Sequence, residues 1–279
     1  MAITTEDGIV AGLLPPNSFV KGSFTGEAAG YWHNLFAVAG NPAAGALSTP
    51  GVNGATVDDS SGIGGMFRFD NPASGNAYLA RAAAALGANM VALLFYDLLW
   101  YNTGIVVTTT TAQSITFPTL PSRCPPASGS TPDALGGDIE IWMHCATATT
   151  NASAVTNTTI SYTNQAGTAG RTGTLVTPGW PATAVAGTFW PFGLQGSDVG
   201  VRSVESVTLG TSYAAGAVSL MAVRRLAMVP FVAPTSGALM DWAGLGLPQL
   251  YNDSAIYMAV LLSGTAAGVT VGEINYAHG

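Results

Sequence analysis

Formal charge is scarce in this chain: its 279 residues include eight Lys or Arg and fifteen Asp or Glu, 8% in all, where an ordinary soluble domain carries about 25%. A net charge of −7 and a pI near 4.6 exclude a basic surface for nucleic acid. Two cysteines exclude a disulfide scaffold. Three histidines leave little for a metal or nucleophilic centre. Long apolar runs are missing too: Asn89–Tyr101 is interrupted by Asp97, and Ala217–Val229 by Arg224 and Arg225. No membrane-crossing helix is therefore expected. The opening Met1-Ala2-Ile3-Thr4-Thr5-Glu6-Asp7 has two acids and no basic stretch. That reads against a secretory signal, and so against an outer-membrane barrel, and toward synthesis in a cytoplasm.

What is present is apolar and aromatic. Hydrophobic residues make up 48%, with six Trp, nine Tyr, ten Phe and eight Met, which excludes disorder. A monomer of 28.2 kDa exposes roughly 11,000 Å². The few charges cannot cover that area, and uncharged polar residues, small residues or other protein must. Natural surfaces use charge to stay apart, whereas interface cores are depleted of it and enriched in aromatics and Met. The composition points to a subunit packed in an assembly.

Along the chain, residues 1–70 are punctuated by Pro15-Pro16, Asn41-Pro42, Thr49-Pro50-Gly51 and Gly62-Ile63-Gly64-Gly65. Phe19, Phe24, Tyr31, Trp32 and Phe36 are embedded among them, so this segment reads as an extended N-terminal arm. One helix is expected next. Asn71 can cap it, Pro72 suits its first position and Gly87 its end. Tyr78, Leu79, Ala82, Ala83 and Leu86 form an apolar stripe between them.

Strands follow. Asn89–Tyr101 and Ile105–Phe117, split by Asn102-Thr103-Gly104, suggest a hairpin. A Pro-rich loop (Pro118, Pro121, Pro125, Pro126, Pro132) comes next. Further strands are expected at Gly137–Thr149, Thr158–Thr163, Thr172–Thr177, Val199–Leu209, Ala217–Val229, Ala255–Leu262 and Val269–Tyr276. Alternating βα units are lacking, which disfavours a Rossmann or TIM fold. The expected architecture is mainly β: an antiparallel β-sandwich of jelly-roll type over residues 71–279, with one short helix and the arm of residues 1–70.

Each candidate for chemistry has a plainer reading. His144 and Cys145 are neighbours in a strand, so their side chains point to opposite faces and cannot hold one ion. Asp138 and Glu140 share a strand face and could bind calcium or act as an acid/base pair, but no further acid lies near them in sequence. Asp58-Asp59, in a Gly/Ser loop, reads the same way. Gly62-Ile63-Gly64-Gly65 lacks the Lys-Ser/Thr of a phosphate loop, and there is no Gly-x-Ser-x-Gly elbow. No catalytic, cofactor-binding or metal-ligating set emerges, and no enzyme is expected. Trp180, Phe189, Trp190 and Phe192 set large rings among Pro and Gly. Such rings plug the end of a sandwich, anchor a partner protein or stack on a sugar. Arg202, between Asp198 and Glu205, is expected to pair with an acid and fix a turn or subunit contact. These five residues form the candidate interface.

Three segments carry a resemblance: Ser161–Arg171 (SYTNQAGTAGR), Gly196–Val204 (GSDVGVRSV) and Gly272–Gly279 (GEINYAHG). They resemble segments of virion structural proteins of tailed bacteriophages, over roughly the last two-thirds of the chain. The resemblance implies a particle component made in the host cytoplasm and carried in the virion, with no enzymatic residues, cofactor or membrane partner. The low charge disfavours the shell protein itself, which carries a long charged helix. A capsid decoration or cement protein fits best: a homo-oligomer, expected as a trimer, bridging the major capsid protein or other virion proteins. The alternative is a tail, collar or fibre subunit acting as an adhesin or connector.

Overall fold

The computed structural model describes residues 3, 5–23, 26–85, 87, 89–124, 135–233, 235–265 and 268–279. Its principal strands are β1 (Asn17–Lys21), β2 (Ala77–Ala85), β3 (Met90–Tyr101), β4 (Ile139–Thr147), β5 (Thr159–Asn164) and β6 (Arg171–Leu175). β7 (Thr188–Gly193), β8 (Val201–Thr208), β9 (Ala217–Pro230), β10 (Gly237–Met240), β11 (Ile256–Leu262) and β12 (Thr270–His278) complete the set. Two short helices accompany them. In α1 (Glu6–Gly12) the Thr5 hydroxyl accepts from the Gly8 N–H, and in α2 (Trp242–Leu245) Asp241 accepts from Ala243 and Gly244.

The chain forms two compact units. One comprises residues 1–46, 59–97 and 226–279, the other residues 47–58 and 98–225. β3 changes unit after Asp97 and β9 after Arg225.

The first unit is a sandwich. One sheet runs β10-β2-β12-β1, with the short strand Gly40–Asn41 beyond β1. The other contains Trp32–Asn34, β11 and the first part of β3. All these pairings are antiparallel. Phe19, Leu79, Ala82 and Ile274 from one sheet meet Leu93, Phe95, Met258 and Val260 from the other in a continuous buried core. Phe19, Phe67 and Phe95 pack edge to face, with centroids 5.5 to 6.2 Å apart.

Two expectations are corrected here. The segment read as an arm supplies β1, which pairs along its whole length with β12, and two of those three rings. Its turn-rich sequence limits regular structure, but burial of Phe19, Leu35, Phe67 and Phe69 ties it into the sandwich. The segment read as a helix holds strand β2, bonded to β12 on one side and β10 on the other. Ala is a good helix former, but pairing on both edges and burial of alternate side chains outweigh that weak preference.

In the second unit the sheet runs from the first part of β9 through β4, β7, β6, β5 and β8 to the short strand Gln113–Ser114. A bridge between Gly137 and Gly200 brings the start of β8 back to the start of β4, so the five strands β4 to β8 curl toward closure. The hairpin expected between Asn89–Tyr101 and Ile105–Phe117 does not form. After β3, Asn102 instead bonds Leu220 through its N–H and its Oδ1, and Gln113–Ser114 pairs with β8. The strands expected at Thr158–Thr163 and Thr172–Thr177 are present as β5 and β6, which pair with each other.

Candidate functional site

The residues expected to meet a partner turn mostly inward. β7 carries Phe189, Trp190 and Phe192, all buried. Phe189 stacks on Trp142 at 4.4 Å between centroids. The Trp190 indole N–H donates to Val176 O at 2.7 Å, and that of Trp180 to Thr149 Oγ1 at 3.0 Å. A buried indole needs such an acceptor, and here each finds one inside its own unit. Of the alternatives open to these rings, the structure realises the interior plug, so the four aromatics are removed from the candidate interface.

Arg202 stays exposed on β8, but Asp198 is held by a different arginine. Arg171 donates to it through Nε and Nη2 at 2.8 and 3.2 Å. The Tyr162 hydroxyl adds a donor at 2.6 Å and Asn164 Nδ2 another at 2.8 Å. Arg171, then Tyr162, hold the Asp198 carboxyl at about 2, well below its usual 3.8. Glu205 accepts from Thr163 and Ser203 hydroxyls at 2.7 and 2.9 Å. The network fastens β5, β6 and the approach to β8. Sequence proximity suggested Arg202, whereas the β5–β6 pairing delivers Arg171.

The remaining candidates are also structural. Glu140 accepts from Arg225 at 2.9 Å and from the Trp142 indole at 2.7 Å, and the Arg225 guanidinium lies 5.9 Å from the Trp142 ring centroid. Asp138 sits in a turn with φ 56°. His144 is buried and kept neutral, its pKa lowered by burial to about 3. His33, 3.3 Å from Ala28 O through Nε2, is lowered to about 4 for the same reason. Cys124 and Cys145 are buried free thiols, and burial pushes the Cys145 thiol up to about 12. Among the described residues no group of three or more His, Cys, Asp and Glu is placed to hold a metal ion, and no helix is long and apolar enough to cross a membrane.

The surface feature that the sequence did not reveal is the outer face of the first unit's β10-β2-β12-β1 sheet. Alternation turns Ala82 and Ala84 inward and leaves Ala83 and Ala85 facing out. Register places Gly237, Ala85, Val271 and Val20 in one row across the four strands, with Leu239, Ala83, Glu273 and Ser18 in the next. Leu239 is 61% exposed, Val20 47% and Val271 39%. The charges among the paired residues of this face are Arg81 and Glu273, joined at 2.5 Å. The strand at Val269–Tyr276 was read from the sequence. Its partner strand was hidden by the helix reading of the Ala run.

No family model matches the chain, and neither does any curated protein. Among solved structures it is similar to the infectious bursal disease virus VP2 subviral particle, at 10% identity, covering 95% of this chain and 80% of that one, with a TM-score of 0.18. It is also similar to infectious bursal disease virus Gt strain, at 11% identity over 95% and 82%, with a TM-score of 0.17. TM-scores this low carry no argument, and the functional reading stands on the residues themselves.

Proposed function

We propose that this chain is a structural component of a bacteriophage particle, a capsid decoration or cement subunit of the jelly-roll type that bridges and stabilises shell proteins. One observation carries the reading: a surface with very few charges also displays a flat apolar sheet face. Solitary proteins seldom expose such a patch, while a subunit covered by neighbours has no need of charge there. The resemblance of residues 161–171, 196–204 and 272–279 to tailed-phage virion proteins supports the same reading. In it the chain works mechanically, as a homo-oligomer, without catalysis or a cofactor. Each contact is weak, and many copies acting together make release improbable.

Quantitative mass spectrometry of purified particles tests this. Hundreds of copies per particle are expected. A handful would move the chain to a tail, collar or fibre, and absence from particles would overturn the proposal.

A further inference from the structure

We infer that the outer face of the β10-β2-β12-β1 sheet docks against the same face of a second copy of this chain through a two-fold contact. This deepens the reading of the chain as an assembly subunit by naming the surface and its occupant.

The face is built to receive another flat sheet. Its centre is small: Ala83, Ala85 and Gly237 floor an open trough of about 600 Å³. Leu239 and Val271 stand at its sides, exposed and on paired strands, so they project from backbone that is already fixed. Two such faces brought together set Val271 of each copy into the trough of the other and Leu239 over β1 of the other beside Ser18, at the usual sheet-to-sheet distance of about 10 Å.

The charges select a copy of the same chain over an unrelated surface. Arg81 and Glu273 lie side by side, and their side chains are still 40% and 33% exposed. A face whose charges are one cation and one anion is neutral and complementary to itself. A two-fold axis along the strands, between β2 and β12, places β2 of one copy over β12 of the other. Each Arg81 then reaches Glu273 of the other copy, giving two equivalent pairs, as an isologous interface requires.

The size fits as well. Four to five strands about 4.8 Å apart, with paired stretches of four to nine residues at about 3.3 Å each, cover roughly 500 Å² per copy. Two copies bury about 1,000 Å², the lower bound for a specific contact and too little for a tight obligate dimer. A contact of this kind joins copies when many are held together, as the proposed role requires.

Sedimentation of the full chain across a concentration range provides the test, with Leu239→Asp and Val271→Asp beside it. Val20→Thr/Val271→Thr serves as a milder variant that keeps β-branched residues in both strands. Wild type is expected to form assemblies of twice the mass of either Asp variant, with the double Thr variant in between. Val271→Cys is expected to be joined in pairs by a bis-maleimide reagent spanning about 10 Å, the usual separation of packed sheets. Equal masses for wild type and all variants, or a wild type that stays single at high concentration, would overturn the inference. The particle copy number is measured separately. A chain abundant in particles but indifferent to these substitutions sinks the two-fold contact and leaves the structural role standing.

Discussion

Arg171 and Asp198, 27 residues apart in sequence, are joined by two parallel hydrogen bonds, with the Tyr162 hydroxyl on the same carboxylate oxygen as Arg171 Nε. Tyr162 also accepts from the Gln195 N–H at 2.8 Å. It therefore links the carboxylate to the chain that leads into it. Tyr162→Phe deletes one donor and one acceptor at once while keeping the buried ring. It is expected to cost about 1–3 kcal/mol, read as a lower urea midpoint. An unchanged midpoint would show that the hydroxyl is dispensable.

The same carboxylate sets an acid limit. Its folded value of about 2 lies below the usual 3.8. A depressed carboxyl contributes stability that is complete above the unfolded value and lost as pH falls through the folded one. The stability contributed by Asp198 should therefore begin to be lost only below about pH 4. Wild type and Asp198→Asn are expected to converge in stability between that pH and pH 2. A constant gap down to pH 2 would contradict the assignment.

The two buried histidines act in a different window. His33 and His144 have folded values of about 4 and about 3, against an ordinary 6.5. As pH drops through 6.5 the unfolded chain takes up protons there and the folded chain does not. Their contribution is thus whole above 6.5 and erodes progressively below it. The denaturation midpoint should already decline between pH 6.5 and 4, where Asp198 is still silent. His144→Phe, beside the Phe189 ring, should make that decline shallower. A midpoint flat across this range would refute the prediction.

Both thiols should be silent in the native state. Cys145 donates to Thr147 O and Ala184 O, and its raised pKa leaves almost no thiolate at neutral pH. Cys124 is fully buried. Labelling with a thiol reagent should be slower by at least about a hundredfold in native buffer than in denaturant. Rapid native labelling of either cysteine would contradict the burial.

Closure of the second unit's strands depends on two glycines. Gly136 has φ +78°, and a Cβ there would strike Val201 O. A Cβ on Gly200 would strike Gly136 O. Gly136→Ala combines left-handed strain of about 1–2 kcal/mol with that displacement, for a total of about 2 kcal/mol or more. A denaturation curve matching wild type would mean the strands meet in some other way.

Much of the strand pattern was legible because β-branched and aromatic runs mark buried strands whatever their neighbours. β3, β4, β9 and β11 fall where Asn89–Tyr101, Gly137–Thr149, Ala217–Val229 and Ala255–Leu262 read as strands. Pairing was not legible even locally: the hairpin expected after β3 does not form, whereas β5 and β6, read only as successive strands, pair with each other. The pairing of β1 with β12 joins residues some 250 positions apart, and no local signal encodes it. The same limit hid the site. Arg171 replaced Arg202 as the partner of Asp198 because a neighbouring strand brought it there. The rings of Trp180 and Phe189 sit among turn residues in sequence yet belong to the interior.

The Ala run of β2 is where local preference and fold disagree most openly, and a substitution series can expose the period. Ala82 and Ala84 point into the core, and Ala83 and Ala85 point out. In dilute protein, Ala83→Thr and Ala85→Thr are expected to be neutral or stabilising within about 0.5 kcal/mol, since Thr suits an outward strand position. Ala82→Leu and Ala84→Leu are expected to cost about 1–3 kcal/mol by overpacking against Phe19 and its neighbours. The tolerance should alternate with every residue. A helix with the stripe Tyr78, Leu79, Ala82, Ala83 and Leu86 would instead group 82 with 83 as sensitive and spare 84 and 85. Four midpoints therefore distinguish the two conformations, and a sensitive Ala83 beside a tolerant Ala84 would overturn the strand.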